Sequence, residues 1–438
     1  MEVVTKRITM KTFEVRTLGC KVNQYESQAL RERLLRLGLK ESRGEIADVY
    51  VINTCSVTHR ADKESRDAIR KLNCVNPKAQ IFVTGCSAEN APEKLKSLGG
   101  VTRIVGNIQK DNLPQFIVSS SEGISGGRLG ISGFAGHTRA FLKIQDGCNN
   151  GCSYCIIPTL RGSSHSRKLA EIIQEARDLA ANGYKEIVLC GICVGAYGKD
   201  IALSAGLVKV IGELEKIEGL RRIRLSSIEA TDVTPELIEA FAHSKKLCSH
   251  LHIPFQSGDD KILRLMNRPM SSDGYRKLIL SLRGIMPQIG ITTDMMVGFP
   301  GEDEKSFAAT VQFLKEIHPS RMHVFSFSPR KNTLAFRLGS TVNPFIKKER
   351  ARHLKSLAKD FLLDFSRAQL GRTMEVLVEA SPYRDTGLYK GYSSNYVKVF
   401  IRSAEPVINK VVTLEAVKVY ADGILAGMSR ESAFLDTT

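Results

Sequence analysis

Apolar residues in the first quarter of the chain fall into short runs: FEVRTLG from Phe13, DVYVINT from Asp48, QIFVTG from Gln80 and TRIVGN from Thr102. Runs of that length, closed by Gly, Asn or Thr, predict buried strands. Between them the apolar spacing changes to every third or fourth residue. Leu30, Leu34, Leu35 and Leu37 mark one face of NQYESQALRERLLRLG, a polar helix is expected from Thr58 to about Asn73, and another opens at Ala91-Pro92. Proline suits that first turn. Strand then helix, repeated, predicts a doubly wound parallel sheet.

The alternation resumes further along. AFLKIQDGC, EIVLCGICVGAYG, RRIRLSSIEA, SHLHIPFQSG, ITTDMMVGFPGE and MHVFSFSPRKNT each close an apolar run with polar or glycine-rich residues. Helical stretches lie between, such as LAEIIQEARDLAANG, which Gly183 stops. Six such repeats predict an incomplete six-stranded (β/α) barrel with its chemistry at the C-terminal mouth. The last segment changes character. MEVLVEA, YVKVFI and KVVTLEAVKVY alternate or run β-branched, with turns at RDTG and ADG, so a small antiparallel β-barrel is expected.

At 438 residues the chain is too long for one ordinary core. The expected division is an α/β domain over 1–118, a Ser/Gly-rich linker over 119–137, the partial barrel over 138–368 and the β-barrel over 369–438. No run of about 18 apolar residues is present, so no membrane span is expected. The N-terminus lacks the apolar stretch of a signal peptide. Ten cysteines without a secretory signal argue against a disulfide scaffold and for a reducing, cytoplasmic setting.

Three of those cysteines, Cys148, Cys152 and Cys155, are spaced C-x-x-x-C-x-x-C, with Tyr154 before the third. Three thiolates on one loop suit three irons of a cubane cluster and leave the fourth iron open for bond-making chemistry. The competing reading is zinc, but zinc loops usually pair C-x-x-C with a second pair or with histidines, and none follows. Cys20, Cys55 and Cys86 each follow the end of a predicted strand. In a parallel sheet those ends share one edge, where ligands bind. A second three-thiolate site is therefore expected, against the alternative of three buried small apolar residues. Cys74, Cys190, Cys193 and Cys248 are read as buried fillers. Ser227, Glu229, Gln256 and Arg330 close barrel strands and form a candidate cofactor pocket; each alone also reads as a cap or turn residue.

The net charge of +17 favours a polyanionic partner, and Arg321 to Arg372 concentrates it. In the last segment Lys390, Tyr392, Tyr396 and Lys398 mix aromatic rings with cations, a surface able to stack bases. A plain structural β-domain is the alternative.

The triplet resembles the radical S-adenosylmethionine superfamily. TLGCKVNQYES, VINTCSVT, VTGC, KIQDGCNNGCSYCIIPTLRGSSHSR, RIRLSSIEA, HLHIPFQSG, DMMVGFPGE and FSPRKNT resemble, in order, the methylthiotransferase family, and GYSSNYVKV resembles its TRAM RNA-binding domain. GCKVN-x-YES with HLHIP is similar to the subgroup acting on N6-threonylcarbamoyladenosine in tRNA. The resemblance implies two [4Fe-4S] clusters, on Cys148, Cys152 and Cys155 and on Cys20, Cys55 and Cys86. The first would chelate S-adenosyl-L-methionine and release a 5′-deoxyadenosyl radical. The second would carry the sulfur inserted at C2 of the adenosine 3′ of the anticodon. It further implies Tyr154 and Gly191 against the cofactor's adenine and methionine parts, and Ser227, Glu229 and Gln256 at its polar groups. Arg167 would neutralise its carboxylate or tune the cluster, and Arg330 would lie at RNA phosphate or cofactor. The implied partners are the tRNA anticodon stem-loop, an electron donor such as flavodoxin or ferredoxin, and a sulfur source. Cys193 stands where this subgroup is expected to have His or Thr. Isopentenyladenosine in tRNA, a ribosomal-protein side chain, and a non-catalytic zinc-stabilised RNA-binding module are the alternatives.

Overall fold

The computed structural model describes residues 11–42, 44, 46–118, 130–339, 342–380 and 386–428. Most of the expected linker and part of the RDTG turn lie outside these residues. Two units emerge, residues 1–133 with Ile156–Gly162, and residues 134–155 with 163–438.

The first unit contains β1 (Thr12–Thr17), α1 (Lys21–Arg36), β2 (Lys40–Glu41), β3 (Val49–Thr54), α2 (His59–Val75), β4 (Gln80–Gly85), α3 (Cys86–Asn90), α4 (Pro92–Lys96), β5 (Val101–Val105), α5 (Leu113–Val118) and α6 (Ile157–Arg161). Its sheet is parallel throughout, in the order β2-β1-β3-β4-β5. Every residue of β3 is buried, which explains the unbroken apolar run VYVIN. Tyr50, Ile52, Ile69, Leu72, Ile81 and Val83 join β3, α2 and β4 in one core. The Thr58 side chain accepts from the Ala61 N–H and fixes the start of α2. The short edge strand β2 had no apolar signature in the sequence.

The second unit opens with β6 (Arg139–Lys143), the short pair β7 (Gln145–Asp146) and β8 (His165–Ser166), α7 (Leu169–Ala181), β9 (Glu186–Cys190), α8 (Gly206–Glu215), β10 (Arg222–Leu225), α9 (Pro235–His243) and β11 (His250–His252). It continues through α10 (Asp260–Leu265), α11 (Ser272–Ile285), β12 (Gly290–Val297), α12 (Glu304–Ile317), β13 (Arg321–Ser326), α13 (Leu334–Arg337) and α14 (Pro344–Arg367). The parallel sheets β10-β9-β6 and β11-β12-β13 are joined by the parallel bridges Ile223–Leu247 and Ser227–His252. The result is the six-stranded partial barrel.

The unit ends with β14 (Thr373–Ala380), β15 (Tyr389–Ser393), β16 (Lys398–Ile401), β17 (Val411–Tyr420) and β18 (Gly423–Met428), closed in the order β14-β15-β16-β18-β17. Four of its pairings are antiparallel and β16 with β18 is parallel. The expected small antiparallel barrel is present, with one parallel pair. Five strands cannot alternate direction around a closed ring, so one neighbouring pair must run the same way.

The GYSSNYVKV segment faces inward, toward the starts of the partial-barrel strands. Arg222 donates to the Tyr392 carbonyl at 3.0 Å, and Arg224 donates to the carbonyls of Ser394 at 2.9 Å and Ser393 at 3.1 Å. Tyr392 and Tyr396 stack with ring centroids 5.0 Å apart. Arg139 lies over both rings, and Arg224 and His250 lie against Tyr396. Lys398 is ion-paired with Asp422. Tyr392, Tyr396 and Lys398 are partly exposed and make these contacts within the protein. Lys390 is half-buried on β15.

Candidate functional site

In the first unit, β1, β3 and β4 are neighbours, and a cysteine follows the C-terminal end of each. Cys20 caps α1, Cys55 comes directly after β3, and Cys86 opens α3. The backbone is drawn tight around them. Gly19 has φ +100°, and a Cβ there would lie 2.7 Å from the Cys55 Cβ and 3.0 Å from its sulfur. Gly85, at φ +93°, passes so close to Thr54 that a Cβ would meet its carbonyl oxygen at 2.4 Å. Glycine alone allows both approaches.

Polar clamps hold the three loops. The Asn23 side chain donates to the carbonyls of Leu18 and Thr54 at 2.8 and 2.9 Å. Ser87 and Ser65 hydroxyls donate to the Cys55 carbonyl at 2.8 and 3.1 Å. Burial, with smaller contributions from Cys86 and Cys20, pushes the Cys55 thiol up to about 11. Burial also raises Cys86, opposed by the nearby charges of Arg161 and Lys110. The three sulfurs thus share one electrostatic neighbourhood. Arg161 binds Glu26 at 2.9 Å and Asn23 at 2.6 Å, and Lys110 binds Glu26 at 2.5 Å. These buried cations fit thiolates, whose charge they would offset. Asn23, Glu26, Lys110 and Arg161 were not singled out from the sequence. Three of them sit inside motifs quoted above, whereas Lys110 lies in a stretch with no signature.

The triplet occupies the loop after β7 in the second unit. Cys148, Cys152 and Cys155 are all partly exposed. Ser153 ties the loop down: its N–H donates to the Met266 carbonyl at 2.9 Å, its hydroxyl to the Leu265 carbonyl at 2.7 Å, and its carbonyl accepts from the Ala335 N–H at 2.7 Å. Tyr154 packs edge-on against Phe299, beside Phe327. Arg268 reaches the Cys152 sulfur at 3.5 Å while binding Glu229 at 2.6 Å. Its Nε is buried without a hydrogen-bond partner. Burial would discharge Arg268, but Tyr154, Tyr275 and Glu229 hold its proton firmly. A hydrogen bond from Cys193 lowers the Cys148 thiol to about 7 and raises Cys193 in turn. Cys148 is thereby readied as a thiolate.

Among the described residues no group of three His, Cys, Asp or Glu side chains closes on one point as a single ion requires. A cluster gives each cysteine its own iron, so three thiols need only share a face.

The remaining sequence candidates divide. Ser227 follows β10 and Gln256 follows β11, both partly exposed, and neither side chain makes a hydrogen bond to the described residues. Gln256 also has φ +67°. Two polar groups at the barrel mouth thus retain their bonding capacity for a ligand. Glu229 is committed to Arg268 and to the Ala230 N–H at 3.1 Å. Gly191 is required by packing, since a Cβ would meet the Gln145 Oε1 at 2.8 Å. Arg167 is buried and bound to Glu175 at 2.6 Å and to the Lys143 carbonyl at 2.7 Å, so its charge is directed into the scaffold rather than toward a cofactor carboxylate. Arg330 is buried in the loop after β13, its carbonyl accepting from the Thr333 hydroxyl at 2.7 Å. Cys190 and Cys248 are buried as expected. Cys74 is exposed, and Cys193 is buried with its thiol donating to the Asp232 carboxylate at 3.5 Å. Arg268 escaped the sequence reading because nothing in LRLMNRPM marks it.

A doubly wound sheet, a six-stranded partial barrel and a C-x-x-x-C-x-x-C loop at the barrel mouth define a radical S-adenosylmethionine protein. Residues 142–314 match the Radical SAM superfamily and residues 12–106 match Uncharacterized protein family UPF0004. The fold is similar to the radical S-adenosylmethionine methyltransferase TsrM from Kitasatospora setae, with TM-score 0.53 and 14% identity over 72% of this chain and 75% of that one. Threonylcarbamoyladenosine tRNA methylthiotransferase MtaB of Bacillus subtilis (strain 168) is 38% identical, covering 93% of this chain and 94% of its own. The protein of the same name from Thermotoga maritima is 39% identical over 89% and 91%. A tRNA-2-methylthio-N(6)-dimethylallyladenosine synthase from Pelotomaculum thermopropionicum is 32% identical over 92% and 94%. The chain belongs to the threonylcarbamoyladenosine tRNA methylthiotransferase family.

Proposed function

We propose that this chain inserts a methylthio group at C2 of N6-threonylcarbamoyladenosine 37 in tRNA. One observation carries the reading. Two separate sets of three cysteines stand at C-terminal strand ends, in a chain aligned almost end to end with relatives named for that activity. Cys148, Cys152 and Cys155 would hold one [4Fe-4S] cluster and Cys20, Cys55 and Cys86 a second. When bound, they and S-adenosyl-L-methionine supply the radical and the sulfur, chemistry that side chains alone cannot perform on an aromatic C–H.

The chain's own residues bind and orient. Arg268 holds Cys152 and Glu229 in register, and Ser227 and Gln256 offer polar contacts to the cofactor. Arg161 and Lys110 offset negative charge at the second set. Holding reactants in line is worth roughly 7–11 kcal/mol of the barrier. The domain division at 118, 138 and 369, a cytoplasmic location, and a flavodoxin- or ferredoxin-type electron donor with a separate sulfur source belong to the same reading. No helix among the described residues is long and apolar enough to cross a membrane.

Two measurements test it. The C148A/C152A/C155A protein should keep about half its iron and sulfide; if it stays folded and loses all iron, the second site is wrong. Nucleosides of tRNA from a strain lacking this chain should lose the methylthio form of threonylcarbamoyladenosine. Unchanged content rejects the substrate, and loss of the isopentenyl form instead points to the sister reaction.

A further inference from the structure

Helix α14 violates two local rules on one face. Lys347 and Lys348 lie near its start, ahead of Glu349, and no acidic residue stands in the first turn, so cations sit at the positive end of the helix dipole. Lys348, Arg352, Lys355 and Lys359 follow at spacings of four, three and four, which stacks like charges along one stripe. All four are exposed. None has an acidic partner within ion-pair distance among the described residues, whereas Arg350, on the inner face, is bound to Glu302 at 2.6 Å and Glu304 at 3.1 Å. Sequences tolerate such local conflict mainly at functional sites.

The stripe lines an open groove of about 810 Å³ that also includes Ser326, the last residue of β13. The groove therefore begins at the C-terminal mouth of the partial barrel. Its near end is coupled to the triplet loop: Lys347 lies over Phe327, which packs with Phe299 and Tyr154. From Lys348 to Lys359 the stripe extends about 16 Å at 1.5 Å per residue, long enough to face several successive phosphates. The tyrosines of the terminal barrel are already stacked on the protein's own arginines, whereas α14 presents an open cationic surface near the mouth.

We propose that this groove binds the sugar–phosphate backbone of the substrate RNA and feeds the target nucleoside to the barrel mouth. The inference rests on the RNA-modifying reading above and adds the surface that holds the RNA. It selects an RNA backbone over an acidic protein because the cations form a linear stripe, the shape of a strand rather than of a compact patch.

The test uses the full chain, an anticodon stem-loop RNA as probe, and the K348A/R352A/K355A/K359A variant. Binding is measured between 50 and 300 mM salt. Wild type should weaken steeply with salt. The variant should bind at least about tenfold more weakly at 0.1 M, with a salt slope lower by about three to four, near one per lost phosphate contact. Its melting temperature without RNA should be unchanged or higher, because mutual repulsion has been removed. Equal affinity and slope in variant and wild type overturn the groove while the enzyme reading stands. Failure of wild type to bind the stem-loop overturns the RNA reading itself. A variant that binds RNA normally but is no longer reduced by a flavodoxin-class donor assigns the groove to an acidic protein and also overturns the proposal.

Discussion

Gly19 has no room for a methyl group. Its φ of +100° strains any side chain, and the added carbon would press on Cys55 from 2.7 Å. G19A should cost about 1–3 kcal/mol in backbone strain and displace the Cys55 thiol. Iron retained by the N-terminal set, measured in the C148A/C152A/C155A background, should fall by more than half. Arg268 is the corresponding residue in the partial barrel. R268M strips a buried charge from Glu229 and a donor from Cys152. Breaking a buried pair costs about 3–5 kcal/mol, so chemical denaturation should show a loss of that order. R268K should recover part of it, though without the forked geometry that serves both partners. In the sequence, cysteine spacing announced the thiols, but Arg268 and Lys110 carry no pattern. Their importance comes from where distant segments meet, which no local spacing encodes.

Strands and helices were largely legible because each is a local periodicity. The six barrel strands, the four long N-terminal strands and the helix stop at Gly183, which has φ +89°, follow from apolar runs and glycine alone. The inward face of GYSSNYVKV was not legible. Alternating aromatics and cations describe a base-binding surface and a cation–π interface equally well, and only the tertiary partner decides. That partner is Glu186 with Arg139, Arg222 and Arg224 at the starts of β6, β9 and β10. Burial would raise the Glu186 carboxyl, but Arg224, Arg222 and Arg139 hold it down to about 2. A folded value below the ordinary 4.5 means stability that is full above about pH 4.5 and lost as pH falls toward 2. At neutral pH the contribution is on the order of 3 kcal/mol. E186Q leaves the buried Arg222 and Arg224, and the half-buried Arg139, without their common acid. Urea unfolding at pH 7 should show a deficit of at least that order, and the gap between wild type and E186Q should narrow between pH 4.5 and pH 3. A gap independent of pH would assign the loss to packing instead.

At the scale of the molecule, one short segment belongs to a different unit from the residues on either side of it. Ile156–Gly162 directly follows Cys155, yet it belongs to the N-terminal unit. There Ile156 and Leu160 are 3% and 4% exposed and pack with Cys86, while the Asn107 side chain donates to the Leu160 carbonyl at 2.8 Å. The cysteine triplet thus ends directly before a segment whose apolar side chains are buried within the N-terminal unit. A shortened chain starting at residue 130 keeps the partial barrel and the terminal β-barrel but strips the cover from both side chains. Each loses about 1.5–3 kcal/mol of burial, and the segment next to Cys155 loses its anchor. Such a chain should be cut by trypsin at Arg161 far faster than the full protein. It should also retain less than half the iron of the C20A/C55A/C86A full-length protein, which keeps the triplet and its anchor. Equal iron in the two would mean that the loop is held by Ser153 and its partners alone, and that the N-terminal unit contributes nothing to the triplet beyond its own cysteines.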